Sequence, residues 1–95
     1  MDAPPVALHA ELALVGVRSV PGALEVSFRL PDAGPARLEA FDASGRRVGS
    51  LEVGSLGIGD HTVTLARRDA GAPGLFWIRL ARGSESRVKK VALHP

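Results

Sequence analysis

The sequence contains no cysteine, and asparagine, glutamine and tyrosine are absent as well. Without cysteine the chain can form no disulfide, no thiolate nucleophile and no cysteine zinc site. Lysine is scarce, with two residues against ten arginines, a usage typical of a GC-rich genome. No apolar run approaches the roughly 20 residues that a membrane-spanning helix needs. We therefore expect no membrane-spanning segment and no chemistry that depends on sulfur.

A strong excess of charge of one sign is also missing. Twelve lysines and arginines stand against ten acidic residues, which leaves a formal net charge of +2. Basic and acidic residues alternate along the chain, whereas nucleic-acid binding requires a basic stripe or patch on one face. The sequence therefore predicts no nucleic-acid partner.

The length and composition indicate one small domain. Ninety-five residues, 45% of them hydrophobic, suffice to bury a single modest core. Residues 1–10 are rich in alanine and proline and lack the basic segment followed by an apolar one that marks a signal peptide. We interpret them as a linker stub, and residues 11–95 as the folded domain.

Apolar and polar residues alternate with period two in most of the chain. The clearest segment is LEVSFRL, in which Val26 and Phe28 lie on the face opposite Ser27 and Arg29. Six further segments show the same pattern: 11–18, 36–42, 46–53, 61–65, 74–82 and 85–93. Proline and glycine turns separate the segments. Seven short strands at this spacing predict an all-β, immunoglobulin-like antiparallel β-sandwich.

The alternation slips by one position in two of these segments. In the fourth segment Val48 and Leu51 are out of phase, and a bulge near Gly49 would restore the register. The last segment, 85–93, has the same slip between Val88 and Val91. It predicts a second bulge near Lys89 and Lys90.

The stretch FDASGRR combines a turn signal with two arginines. Asp42 is suited to cap a tight turn with its carboxylate, and Gly45 is suited to the positive φ at the end of such a turn. A phosphate-binding loop would need a Gly-Lys-Ser/Thr ending and a following helix, and this sequence has neither. The stretch is therefore predicted to be a hairpin turn.

The histidines and serines are the residues that could supply metal-binding or nucleophilic groups. Asp60 and His61, together with His9 and His94, are residue types that bind metal ions, and they are one candidate for a metal site. However, His61 shares a strand face with Val63, which favours a histidine at the edge of the core, bonded to the neighbouring turn. No Gly-x-Ser-x-Gly elbow occurs. The sequence predicts no catalytic residue, no metal and no cofactor, and hence a protein that is not an enzyme.

Trp77, the single tryptophan, alternates away from Phe76 and Ile78, so it lies on the opposite face of its strand. One interpretation is that it packs beneath the aliphatic part of Arg79, with some cation–π attraction. The other is that the indole forms a platform for a protein partner or a sugar, because exposed aromatic side chains concentrate binding energy. The sequence leaves both open.

Several short motifs recur in one order along the chain. They are Phe28 to Pro31, Leu38 to Val48, Gly59 to Val63, Pro73 to Leu80 and Arg87 to Leu93. In this order and spacing they resemble the C-terminal sorting domain of type IX secretion cargo. They also resemble the related immunoglobulin-like module named after the flagellar hook-capping protein. The resemblance runs from about Leu12 to the end of the chain.

The resemblance implies a non-catalytic module at the C-terminus of a longer exported bacterial protein, secreted or held at the cell surface. Sorting domains of this kind are recognised by an outer-membrane translocon, whereas hook-capping-type modules are mostly spacers or contact domains. The expected partners are therefore the secretion machinery or neighbouring domains of the parent protein. In the sorting family the final strands carry most of the recognition. The candidate recognition residues are Trp77, Arg79, Arg87, Lys89 and Lys90.

Overall fold

The seven predicted strands are all present in the computed structural model, which describes residues 11–66 and 74–93. In chain order they are β1 (Ala13–Val20), β2 (Ala23–Leu30), β3 (Arg37–Asp42), β4 (Arg47–Glu52), β5 (Gly59–Ala66), β6 (Gly74–Arg82) and β7 (Glu85–Leu93). A short 3₁₀ turn, Gly54–Leu56, lies between β4 and β5. The predicted linker at residues 1–10 falls outside the described residues.

The strands form two antiparallel sheets. One has three strands in the order β1-β2-β5, and the other has four in the order β4-β3-β6-β7. The chain crosses from one sheet to the other between β2 and β3, between β4 and β5, and between β5 and β6. This order gives the predicted all-β, immunoglobulin-like sandwich. Within the part of the chain that is described, no helix is long and apolar enough to cross a membrane.

The core lies between the inner faces of the two sheets. Its largest members come mostly from the central strands: Leu24, Val26, Phe28 and Leu30 of β2, Leu38 of β3, Leu65 of the edge strand β5, and Phe76, Ile78 and Leu80 of β6. Each large side chain buried in this way stabilises the fold by about 1.5–3 kcal/mol. The central strands therefore hold the two sheets together, and the edge strands contribute less.

The bulge predicted near Gly49 is confirmed. Ala40 pairs with Gly49, but the next residue, Phe41, pairs with Arg47. Val48 is therefore the extra residue on β4. Its side chain is buried in the core, so the bulge restores the inward direction that the regular alternation would have lost.

The second predicted bulge, near Lys89 and Lys90, is wrong. The pairing of β6 with β7 is continuous, with Ile78 opposite Lys89 and Arg79 opposite Val88. Because paired residues share a face, Val88 lies on the outer side of the sheet, where 58% of its surface is exposed. The expectation assumed that both valines must be buried. An edge strand does not require this, since long cationic side chains can extend past the rim into water.

The turn at Asp42 has the predicted geometry. Its Oδ1 accepts hydrogen bonds from the backbone N–H groups of Ser44 (3.0 Å) and Arg46 (2.9 Å), and from the Ser44 hydroxyl. Gly45 adopts φ = 88°, in the left-handed region that favours glycine. The hydrogen bond from the Ser44 hydroxyl lowers the pKa of Asp42 most, and the two backbone N–H groups act in the same direction. The carboxylate is thus used to hold the β3–β4 hairpin.

The connection between β4 and β5 is fixed to the chain before β3. The N–H groups of Val53 and Gly54 both donate to the carbonyl oxygen of Ala36, at 2.9 Å and 3.2 Å. A Cβ atom at Gly54 would lie 2.5 Å from the carbonyl oxygen of Gly34. Only glycine allows the two backbone segments to approach so closely, so this contact sets the path of the crossover between the sheets.

Candidate recognition surface

The outer face of the four-stranded sheet carries the two aromatic residues that lie outside the core. Phe41, Trp77 and Lys90 are cross-strand neighbours in one row over β3, β6 and β7. Phe41 and Trp77 are half-buried, and Lys90 is exposed. Leu75, 41% exposed, and Val88 lie on the same face. We refer to Phe41, Leu75, Trp77 and Val88 as the aromatic face.

A buried carboxylate lies beside the aromatic face. Glu39 of β3 is only 7% exposed, and its Oε1 accepts hydrogen bonds from Arg79 Nε (3.1 Å) and Nη2 (2.5 Å). Its Oε2 accepts a longer one, 3.3 Å, from Arg47 Nη1. The hydrogen bond from Arg79 lowers the pKa of Glu39 below its ordinary value of 4.5, although burial acts in the opposite direction, and Arg47 lowers it further. The ionised carboxylate therefore holds both guanidinium groups over the sheet.

Arg79 does not make the cation–π contact with Trp77 that one interpretation of the sequence expected. The guanidinium carbon of Arg79 lies 5.4 Å from the centre of the Phe41 ring, on the neighbouring strand. Glu39 draws the guanidinium toward β3, away from the indole on its own strand. The cation–π contact of Arg79 is consequently made with Phe41 rather than Trp77.

Uncompensated positive charge is concentrated on β7. Within residues 11–66 and 74–93, the cations that form no ion pair with a carboxylate are Arg37, Arg87, Lys89 and Lys90. Arg37 donates to the Ser50 hydroxyl at 3.0 Å, and Arg87 donates to the adjacent Ser86 carbonyl at 2.9 Å. Neither contact neutralises the charge. Three of these four cations lie on one strand.

That strand is also an edge of the sheet. β7 follows β6 at the end of the four-stranded sheet, and every residue from 85 to 90 is exposed. An edge strand has backbone N–H and C=O groups with no partner in its own sheet. β7 therefore presents unpaired backbone groups and unpaired cations at the same place.

The five candidate residues from the sequence divide between two sides of this edge. Trp77, Arg79 and Lys90 lie on the outer face of the sheet, whereas Arg87 and Lys89 are paired with the core residues Leu80 and Ile78 and so lie on the other side. Glu39, Phe41 and Val88 also lie on the outer face and were not predicted as site residues. The alternation in residues 36–42 places Glu39 and Phe41 on the face opposite Leu38, so their position on the outer face was predictable from the sequence. The position of Val88 was missed because of the wrongly predicted bulge.

The outer face of the three-stranded sheet is chemically different. There Arg18 pairs with Glu25 at 2.7 Å and Arg29 pairs with Asp60 at 2.6 Å. The hydroxyl groups of Ser27 and Thr62 lie 3.0 Å apart, within hydrogen-bonding distance. These six polar side chains are therefore matched to one another. The contrast favours the four-stranded sheet as the recognition surface.

His61 has the structural position that its strand pattern predicts. Its Nε2 donates to the carbonyl oxygen of Gly57 at 2.8 Å, and its ring centre lies 5.6 Å from that of Phe28. The histidine is thus bonded to the neighbouring turn at the edge of the core. Residues 11–66 and 74–93 contain no group of three or more histidine, aspartate or glutamate side chains placed to bind a metal ion. His9 and His94 lie outside these ranges.

Comparison with models of protein families, with curated proteins and with solved structures gave no significant match. Two features of the chain therefore indicate its function: the order of the sequence motifs, and the chemistry of the aromatic face and the β7 edge.

Proposed function

We propose that this chain is a non-catalytic C-terminal sorting module of a longer exported bacterial protein, recognised by an outer-membrane translocon. The order and spacing of its motifs support the proposal. The observation that carries it is the position of β7, a sheet edge whose residues 85–90 are all exposed. Three cations without a carboxylate partner in the described chain, Arg87, Lys89 and Lys90, project from this edge.

An exposed edge strand suits recognition of a folded module. Its backbone groups offer hydrogen bonds that a partner can use without unfolding the domain, and its side chains make the choice of partner specific. Positive charges on the edge also prevent it from pairing indiscriminately with other strands. The same residues therefore serve the recognition and the solubility of the exported protein.

The aromatic face favours a second function, an accessory spacer or adhesion domain of a secreted or cell-surface protein. Val88 and Leu75 are 58% and 41% exposed beside the half-buried Trp77. Apolar and aromatic side chains grouped on a surface are typical of contacts with another protein domain or a ligand. In this function the aromatic face contacts a neighbouring domain or a ligand, and no partner protein recognises β7.

A secretion assay tests the sorting function. Residues 1–95 are fused to the C-terminus of a reporter that carries an export signal, and the fusion is expressed in a type IX-competent bacterium and in the same strain lacking the translocon. We expect the reporter outside the cell only in the competent strain. If the fusion remains inside the competent strain, the sorting function is wrong and the spacer function replaces it.

A further inference from the structure

β7 is a long edge without interruption. Its nine residues pair with β6 in one continuous register, as the eight residues of the edge strand β5 do with β2, whereas the edge strands β1 and β4 are both broken by bulges, at Val15 and at Val48. Bulges twist an edge and prevent another strand from pairing along it. β7 and β5 both lack this protection, so the backbone of either can accept a further strand. Of the two, β7 is the one that carries lysine and arginine side chains without a carboxylate partner in the described chain.

The side chains along β7 define what such a strand must carry. From residue 87 to residue 90 the order is cation, apolar, cation, cation. Val88 and Lys90 lie on the outer face, beside Arg79 and Trp77, and the two other cations lie on the opposite face. A strand added to this edge would meet positive charge on both of its faces and one exposed valine on the outer face. Direct cross-strand neighbours interact most strongly, so the match is made position by position.

We infer that β7 binds an acidic extended strand of another protein by β-sheet addition, which enlarges the four-stranded sheet to five strands. The partner strand carries carboxylates opposite Arg87, Lys89 and Lys90 and an apolar residue opposite Val88. Backbone hydrogen bonds supply affinity, and the carboxylates supply specificity. That the partner strand belongs to the secretion machinery rests on the proposed function, but the pairing itself can be measured on this chain alone.

A second copy of the chain does not satisfy these requirements through β7. Antiparallel pairing of two β7 strands about their central residue places Lys89 opposite its own copy, and shifts by one and two positions place Arg87 opposite Lys90 and opposite Lys89. Like charges directly opposite each other destabilise a strand pair. β7 has no bulge that would prevent two copies from pairing. Its cations prevent this pairing by repulsion, and they also favour an acidic partner strand.

A peptide titration tests the pairing. The ¹⁵N-labelled 95-residue chain is titrated with two synthetic peptides, Thr-Val-Glu-Glu-Val-Glu-Val-Thr for antiparallel addition and its reverse for parallel addition. We expect one of them to shift the backbone amides of residues 85–92 most, and to leave β4 and β5, at the other side of the sandwich, unchanged. A scrambled peptide of the same composition should bind at least about tenfold more weakly, because its carboxylates no longer face the cations.

Two kinds of variant separate charge from backbone pairing. The double substitution Lys89→Glu with Lys90→Glu should reduce the affinity at least about tenfold. Its matched control, Arg37→Glu, reverses an exposed unpaired cation on β3 and should leave the affinity unchanged. Peptides N-methylated at every second residue, in the two possible phases, test the hydrogen bonds. One phase should abolish binding, since alternate residues of an added strand donate to the edge.

Each outcome decides the inference. It is overturned if the largest amide shifts lie outside β7, if the scrambled peptide binds equally well, if neither N-methylated peptide loses affinity, or if no peptide binds at about 1 mM. Peptide-independent dimerisation through β7 would identify a second copy as the occupant instead. Specific binding without export of the reporter fusion overturns the sorting function and retains strand addition. Export without specific binding overturns strand addition alone.

Discussion

Arg79 donates two hydrogen bonds to the buried carboxylate of Glu39, from Nε at 3.1 Å and from Nη2 at 2.5 Å. The two residues are cross-strand neighbours on β6 and β3, and Arg47 of β4 adds a third, longer hydrogen bond at 3.3 Å. Three strands of the sheet are thus linked on their outer face by one carboxylate. The link fixes the guanidinium of Arg79 over Phe41, next to the row that contains Trp77 and Lys90.

Removal of the principal partner of Glu39 should destabilise the domain. Arg79→Ala leaves a buried carboxylate with only the longer hydrogen bond from Arg47, and we expect a loss of about 1–3 kcal/mol in the free energy of unfolding at neutral pH. Arg37→Ala is the matched control, because this exposed arginine bonds only the Ser50 hydroxyl. Urea denaturation of both variants measures the difference. Equal losses would show that the Glu39 cluster is no more important than an exposed contact.

The Glu39 cluster should also contribute to the pH dependence of stability. Its pKa is lower in the folded chain than the ordinary 4.5, so its stabilisation is present above that pH and is lost as the pH falls through the folded pKa. Glu39→Gln should therefore be less stable than the wild type at neutral pH, and the difference should shrink in acid. The lowered pKa values of Asp32, Asp42 and Asp60 affect both proteins and cancel in this comparison. A difference that is constant with pH would contradict the role of the charge.

Phe28 should be among the most important residues of the core. It is 1% exposed at the centre of β2, and Phe28→Ala should cost roughly 3–5 kcal/mol, since it removes a large buried side chain and leaves a cavity. A domain of this size has a total stability of about 5–10 kcal/mol, so the variant should be close to unfolding. Phe41→Ala, on the half-buried outer face, should cost less. Thermal unfolding followed by circular dichroism compares the two.

The close approach at Gly54 should tolerate no side chain. Gly54→Ala places a methyl group against the backbone of Gly34 and Ala36, and the forced shift should cost about 1–3 kcal/mol. Gly16→Ala in β1 is the matched control, because its Cβ meets nothing within 4 Å. That substitution should change stability by less than about 0.5 kcal/mol. If the two variants unfold alike, the crossover can move aside and is not fixed by this contact.

The charges on β7 should matter for export and not for folding. The double substitution Lys89→Glu with Lys90→Glu should leave the unfolding free energy within about 1 kcal/mol of the wild type, because exposed charges contribute little. Export of the reporter fusion should nevertheless be lost, whereas Arg37→Glu should export normally. Unfolding curves of the purified chains and the amount of reporter outside the cell check the two parts. Normal export of the double variant would show that the edge charges are not recognised.

The positions of the strands, and the inward faces of β2, β5 and β6, follow from the alternation in the sequence. Alternation with period two is a direct consequence of the pleat, so Phe28 on β2 and Ile78 on β6 could be assigned to the core without a structure. The Asp42 turn was predictable for a similar reason, because its carboxylate and Gly45 act within five residues of chain. Such local features depend on sequence neighbours alone. The bulge near Gly49 was also predictable, since it corrects a visible break in the pattern.

Which strands are edges, and which side chains are neighbours across the sheets, depends on the tertiary structure. The order β4-β3-β6-β7 makes β7 an edge, and an edge strand can leave Val88 in water, so the bulge predicted there does not form. The contact of Arg79 with Phe41 depends on the pairing of β6 with β3, which brings together residues far apart in the chain. Which strands pair is settled by how both sheets bury their inner faces together, and the pattern within any one strand does not contain that information.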